Sequence, residues 1–220
     1  SMKSLKLFIL FILSSCASFP TNNIAPGYLE TFNAIKNALI GFEGDAYITR
    51  DLVNNIPYAS MTLKIGKGPK GLVILESIKN DELTWISADP IYLVIRNGRI
   101  IKTEGLENDL KEIVYPKINF QQIFNQDFKQ FSVFYSYRNP ELNNLELQFN
   151  YSFKGKDSVT ILDQSLELNL VHEIVTNDTL GWEFTNKYWI DKDYFIWKSH
   201  QTINPKIPIF KIEVTKKPSS

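Results

Sequence analysis

Three carboxylates, Glu173, Glu183 and Asp191, fall on neighbouring extended runs of this chain. Carboxylates so placed could flank a glycosidic bond as acid and base or nucleophile. Most carboxylates on half-exposed strands are solvated outer-face charges, and active-site ones are rare among them. The two histidines, His172 and His200, do not strengthen the case. His172 shares a register with Leu166, Leu168, Leu170 and Ile174, so it reads as a satisfied core or rim histidine. Nothing beside His200 resembles a triad, and the chain has no Gly-x-Ser-x-Gly elbow. Metal binding needs clustered ligands, and no Cys-rich or His-rich spacing is present. Asp191-Lys192-Asp193 lacks the Gly and distal Glu of a calcium loop and reads as a hairpin turn. The residues therefore point to a protein that is not an enzyme and carries no cofactor. The remaining chemistry is aromatic. Trp182, Phe184, Tyr188, Trp189, Tyr194, Phe195 and Trp197 form a dense set whose rings could stack on sugars. Alternation places Trp182, Phe184 and Tyr188 on one side of a strand and Trp189 on the other. Trp189 and Trp197 are the candidate carbohydrate contacts, with half-buried sheet packing as the competing explanation.

The elements that position these residues are mostly strands. Tyr58–Ile65, Leu72–Ile78, Leu83–Ser87, Ile91–Arg96 and Arg99–Thr103 are apolar, β-branched runs separated by Gly66-Lys67-Gly68-Pro69, Asn80-Asp81, Pro90 and Asn97-Gly98. An Asn-Gly pair between such runs marks a type I′ hairpin, whose two central residues both need φ > 0. In the second half Phe131, Val133, Tyr135 and Tyr137 alternate with polar residues, and Asn139-Pro140 turns. Leu145, Leu147, Phe149, Tyr151 and Phe153 do the same, Gly155 is expected to turn the chain, and Ser165–Val175 alternates again. Gly181–Ile190 and Tyr194–Thr202 form a hairpin across Asp191-Lys192-Asp193, and Ile207–Val214 is a last strand. Strict period two means one face buried and one wet. Helical signals are few. Pro26 to Gly41 carries Tyr28, Phe32, Ile35 and Leu39 at helical spacing. Thr49 caps a short helix through Leu52, Val53 and Ile56. Asn108 is placed to cap a short helical turn with Leu110, Ile113 and Val114. Asn119–Phe128 fits helical spacing. The expected fold is mainly β: a large, bent antiparallel sheet, sandwich or open barrel, with one or two short helices packed on it.

Composition agrees with one globular domain. The 220 residues are 44% hydrophobic and 13% aromatic, and 24 Lys and Arg balance 24 Asp and Glu. That balance leaves no basic stripe for phosphates, so nucleic-acid binding is excluded. The lone Cys16 rules out an intrachain disulfide framework. Lys3 and Lys6, the apolar run Leu7–Leu13, and Leu13-Ser14-Ser15-Cys16 resemble a bacterial lipoprotein signal. The apolar run is too short to span a bilayer. The expectation is a signal over 1–15, lipid attachment at Cys16, a tether over 16–25 and a single β-rich domain over 26–220. Several acyl chains on Cys16 would anchor the protein stably. Ala17, rather than Asp, after the cysteine favours the outer membrane by resemblance to sorted lipoproteins.

Two blocks also carry a family resemblance. One holds Pro57-Tyr58-Ala59-Ser60, Gly66-x-Gly68-Pro69, Leu83-Thr84-Trp85-Ile86-Ser87-Ala88-Asp89, Asn97-Gly98-Arg99, Thr103-x-Gly105-Leu106 and Asp109-Leu110. The other holds Asn186-x-Tyr188-Trp189-Ile190-Asp191, Trp197-Lys198-Ser199-x-Gln201, Pro205 and Pro208. Together they resemble the YjbF/GfcB family of lipoproteins from exopolysaccharide and group 4 capsule gene clusters. The resemblance implies a non-catalytic outer-membrane lipoprotein, facing the periplasm, that assists polysaccharide assembly or export. Its implied partners are the polysaccharide and products of the same cluster, including a periplasmic protein and an outer-membrane β-barrel. Two other readings remain open on the residues. One is a carrier or sensor of an apolar, lipid-like ligand, which an apolar, unfilled concavity would favour. The other is a polysaccharide-cleaving enzyme, which requires two facing carboxylates in a groove.

Overall fold

A computed structural model describes Glu30 and residues 48–219, less 90, 117 and 127–129. The proposed signal, Cys16, the tether, Phe128 and nearly all of the helix expected over 26–41 lie outside the described residues. Twelve strands run in chain order: β1 (Ser60–Ile65), β2 (Gly71–Lys79), β3 (Glu82–Ser87), β4 (Tyr92–Arg96), β5 (Arg99–Glu104), β6 (Leu110–Val114), β7 (Gln130–Tyr137), β8 (Leu142–Ile161), β9 (Gln164–Asn177), β10 (Trp182–Ile190), β11 (Ile196–Gln201) and β12 (Phe210–Lys216). They form one 12-stranded antiparallel sheet in the order β5-β4-β3-β2-β1-β12-β11-β10-β9-β8-β7-β6. Every neighbour but one pair is a hairpin or short connection; the exception, β1 beside β12, brings the two ends of the described chain together.

The sheet rolls into a nearly closed barrel whose edges, β5 and β6, are consecutive in sequence. They meet through side chains rather than a ladder. Thr103 Oγ1 donates to Asp109 Oδ1 at 2.9 Å and accepts the Leu110 N–H at 2.9 Å. Asp109 also accepts the N–H groups of Gly105 and Leu106 at 3.1 Å each. These contacts satisfy backbone donors that an unpaired edge would leave open. They also explain the Thr103-x-Gly105-Leu106 and Asp109-Leu110 pattern as a barrel seam.

The turns follow their residue types. Asn80 and Asp81 have φ of 50° and 65°, and Asn97 and Gly98 have 49° and 77°, as type I′ hairpins require. Among the described residues, besides the helical Glu30, two helices flank the barrel. α1 (Arg50–Asn55) is capped by Thr49, whose side chain accepts the Leu52 N–H at 3.2 Å. Its Val53, with Ile56, packs on Leu72, Ile74 and Ile86 of the outer sheet face. α2 (Phe120–Gln126) begins with a reciprocal cap, Asn119 and Gln122 each accepting the other's backbone N–H at 2.9 Å. Phe120 and Ile123 stopper one barrel mouth against Val171, Tyr188 and Ile190.

Three sequence expectations are corrected. The segment after Asn108 is strand β6, not a helical turn, because Leu110 and Ile113 bury into the barrel as a strand beside β7. Gly155 does not turn the chain. At φ +86° it forms a bulge between Phe153 and Gly155, and β8 continues to Ile161. The bulge moves the odd-numbered residues of β8 from the inner face to the outer. The paired ends of β8 and β9 then lie over the outside, where Val159, Ile161 and Leu168 bury against Trp189. Third, the register Leu166 to Ile174 faces outward, and the inward register of β9 is Val171, Glu173 and Val175.

Candidate functional site

Glu173 sits in the barrel interior with no solvent exposure. It is opposite Asn186 on β10 and Tyr151 on β8, so one row crosses three strands. Arg99 enters from the other side of the barrel at the first position of β5. Its Nη1 and Nη2 meet Glu173 Oε1 and Oε2 at 2.6 Å and 2.5 Å. Tyr151 Oη accepts from Arg99 at 3.0 Å and donates to Glu173 at 2.6 Å. Asn186 Nδ2 and Tyr188 Oη donate to Glu173 Oε1 at 2.9 Å and 3.3 Å. The guanidinium also lies over the rings of Phe149, Tyr115 and Tyr188, at 4.9, 5.7 and 5.8 Å from their centroids.

Burial opposes the Arg99 charge, and the Glu173 carboxylate overrides that opposition, holding the guanidinium firmly charged. Burial also pushes the phenols of Tyr151 and Tyr188 well above their ordinary range, so both remain proton donors. All charge in this cluster is spent internally. It locks the barrel by pairing Arg99 with Glu173.

The other predicted residues are dispersed. Glu183 is exposed near the start of β10, Asp191 lies beyond its far end, and neither joins Glu173. Asp191 instead shapes the expected hairpin turn, Oδ1 accepting the Asp193 and Phe195 N–H groups at 2.8 and 2.9 Å. Among the described residues no group of His, Cys, Asp and Glu could hold a metal ion. His172 is half-buried on the outer face, where burial and then Lys187 and Lys154 lower its pKa. His200 packs edge-on against Trp189, 4.9 Å between centroids. Its pKa falls to about 4 through burial, with Lys198, Lys211 and Lys187 adding to the shift.

The two candidate tryptophans part company. Trp189 is 6% exposed on the outer face. Its indole donates to Asp157 at 2.7 Å, and Lys198 Nζ lies 5.0 Å from the ring. Trp197 stands at the barrel mouth, donating to Asp191 Oδ2 at 2.9 Å, and lines a cavity of about 340 Å³. The cavity opens beside the Asn80-Asp81, Asn97-Gly98 and Asp191–Tyr194 turns, and its walls include Met61, Leu83, Trp85, Ile95, Ile212 and Val214. Sequence reasoning missed this cavity and the Arg99–Glu173 pair alike. The available signal for the latter was a Glu in an apolar inward row, opposite a Tyr and an Asn.

The resemblance blocks meet across this interior. Gln201 Oε1 accepts the Ile100 N–H at 2.9 Å, and its Nε2 donates to Gly98 O at 2.8 Å. Residues 32–215 match the family described as group 4 capsule polysaccharide lipoprotein gfcB, YjbF. The chain belongs to this YjbF family. Its relatives in Escherichia coli (strain K12) include the uncharacterized lipoprotein YjbF, 25% identical over 205 residues and 91% of each chain. A second is the uncharacterized lipoprotein GfcB, 26% identical over 151 residues, 67% of this chain and 70% of that protein. The crystal structure of the hypothetical lipoprotein YmcC from Escherichia coli (K12) superposes with a TM-score of 0.70 at 21% identity. That match covers 87% of this chain and 97% of YmcC, so the YjbF-family barrel is a fold already seen in a crystal.

Proposed function

We propose that this YjbF-family protein is a non-catalytic lipoprotein, anchored in the outer membrane through Cys16 and facing the periplasm, that assists assembly or export of a surface polysaccharide. The family match over residues 32–215 carries the reading. Three features support it. Leu13-Ser14-Ser15-Cys16 has the form of a lipoprotein signal. The three carboxylates considered for glycoside cleavage are separated, and Glu173 is neutralised by Arg99. The barrel interior around that pair is packed with side chains, which suits a partner-binding body rather than a conduit. Its partners in this reading are the polysaccharide and other proteins of the same gene cluster. Of the two tryptophans, Trp197 borders a cavity and Trp189 is 6% exposed on the outer face, so neither is assigned to the polysaccharide.

The test is a deletion strain complemented with wild-type protein or with Cys16→Ala. Surface polysaccharide should fall in the deletion and return only with the wild type, and only the wild type should incorporate labelled palmitate. Normal polysaccharide in the deletion removes the export role. Purified protein that shortens the host's polysaccharide overturns the non-catalytic assignment.

A further inference from the structure

The cavity at the barrel mouth is apolar in a way that its surroundings do not require. Its walls include Met61, Leu83, Trp85, Ile95, Ile212 and Val214, with Asp81, Asn97, Lys198 and Ser199 as the polar lining residues. At its rim Ile78 is 55% exposed and Tyr194 is 36% exposed, two large apolar side chains left in water around one opening. A volume of about 340 Å³ falls at the small end of ligand sites, about 300–1,000 Å³.

One buried hydrogen-bond donor in this lining has no acceptor among the described residues, and a buried hydroxyl stands in the same lining. Trp85 is 3% exposed, and its indole N–H has no partner among the described residues. Ser199 is equally buried, and its Oγ accepts from Gln201 Nε2 at 2.9 Å. That bond uses the Ser199 oxygen as an acceptor, so the hydroxyl keeps a proton it can donate. An unpartnered buried donor is costly, so native structures rarely keep one without a reason. Both residues lie several positions inside their strands from the mouth, whereas Ile78 and Tyr194 stand at its turns.

We propose that the barrel mouth binds a single acyl chain, inserted head first, whose carboxyl oxygen accepts hydrogen bonds from Trp85 and Ser199. The chain then lies between Leu83, Ile95, Ile212 and Val214 and leaves past Ile78 and Tyr194. A sugar fits the lining less well. Each buried hydroxyl needs a partner, and most of the lining side chains are apolar, with Asp81, Asn97, Lys198 and Ser199 the exceptions. The aromatic faces at the rim are already engaged. Phe195 and Trp197 pack edge to face at 5.0 Å, and Lys217 Nζ lies 4.3 Å and 5.8 Å from their centroids. This binding activity stands apart from the export role, and polysaccharide levels in a deletion strain do not bear on it.

Isothermal titration calorimetry on the full chain carrying Cys16→Ala, which has no acyl groups of its own, tests the site. Dodecanoate should bind saturably. Trp85→Phe keeps an aromatic ring, though a smaller one, loses the N–H, and should weaken binding about fivefold. Ile78→Asp, at an exposed position that leaves the core untouched, should weaken it at least as much. A dodecanoyl lysophosphatidylglycerol, whose headgroup cannot enter, should bind more weakly than dodecanoate. Absence of dodecanoate binding overturns the proposal, as does binding that neither variant changes. Tighter binding of the lysolipid overturns the head-first orientation, and saturable binding only of oligosaccharides from the host's surface polysaccharide makes the cavity a sugar site instead.

Discussion

Arg99 and Glu173 make a two-point ion pair inside the barrel, at 2.6 Å and 2.5 Å, between an edge strand and a strand on the opposite wall. A bidentate pair fixes both distance and orientation. It therefore holds β5 at one depth in the barrel, which a seam without a backbone ladder does not do by itself. Truncating one partner should be severe. Glu173→Gln leaves a buried guanidinium without its counter-charge and should cost about 3–5 kcal/mol in urea unfolding. The double variant Arg99→Met, Glu173→Leu should recover much of that loss. A single variant that unfolds within about 1 kcal/mol of wild type would refute the structural role assigned here.

Gly98 is held by two independent constraints. Its φ is +77°, and an added Cβ would come within 2.0 Å of Ile196 Cδ1. Gly98→Ala should lose about 2 kcal/mol or more, part from the left-handed backbone and part from displacing Ile196. In an Ile196→Ala background the two closest atoms are gone and only Cβ remains, at 3.0 Å, so the loss should fall toward the backbone part, about 1 kcal/mol. Equal losses in both backgrounds would mean that the close approach is unimportant.

Gly155 has φ +86° but nothing within 4 Å of an added Cβ. Asn tolerates the left-handed region, so Gly155→Asn should cost well under 1 kcal/mol. Gly155→Val should cost more than Gly155→Asn by about 1 kcal/mol. Chemical denaturation of the two variants side by side measures the difference, and indistinguishable midpoints would argue against the bulge geometry.

His200 makes stability depend on pH. Its folded pKa is about 4 against an ordinary 6.5, lowered first by burial and then by Lys198, Lys211 and Lys187, with Glu213 opposing. The unfolded chain then binds the proton more readily between those values. Stability is undiminished above pH 6.5 and falls as the pH drops toward 4, by an amount on the order of 2 kcal/mol once discounted for solvent screening of this half-exposed group. His200→Gln should flatten that part of the stability profile. An unchanged slope in the variant would assign the pH dependence to other groups.

Local chemistry determined much of this protein from sequence alone. Period-two runs and turn residues such as Asn80-Asp81 and Asn97-Gly98 specify hairpins through φ > 0 and alternation, which involve only neighbours in the chain. The capping side chains Thr49 and Asn119 act over three residues. Tertiary structure decided what locality could not. Alternation marks two faces of β9 but not which is inner; the apolar run through His172 looked like the core side, yet Glu173 faces inward because Arg99 arrives from 74 residues away to neutralise it. Gly155 carries the same backbone freedom whether it ends a strand or bulges one, and β9 paired along both halves of β8 selects the bulge. The cavity beneath Ile78 and Tyr194 exists only because turns far apart in sequence gather at one mouth of a closed sheet, and closure is a property of all the strands together.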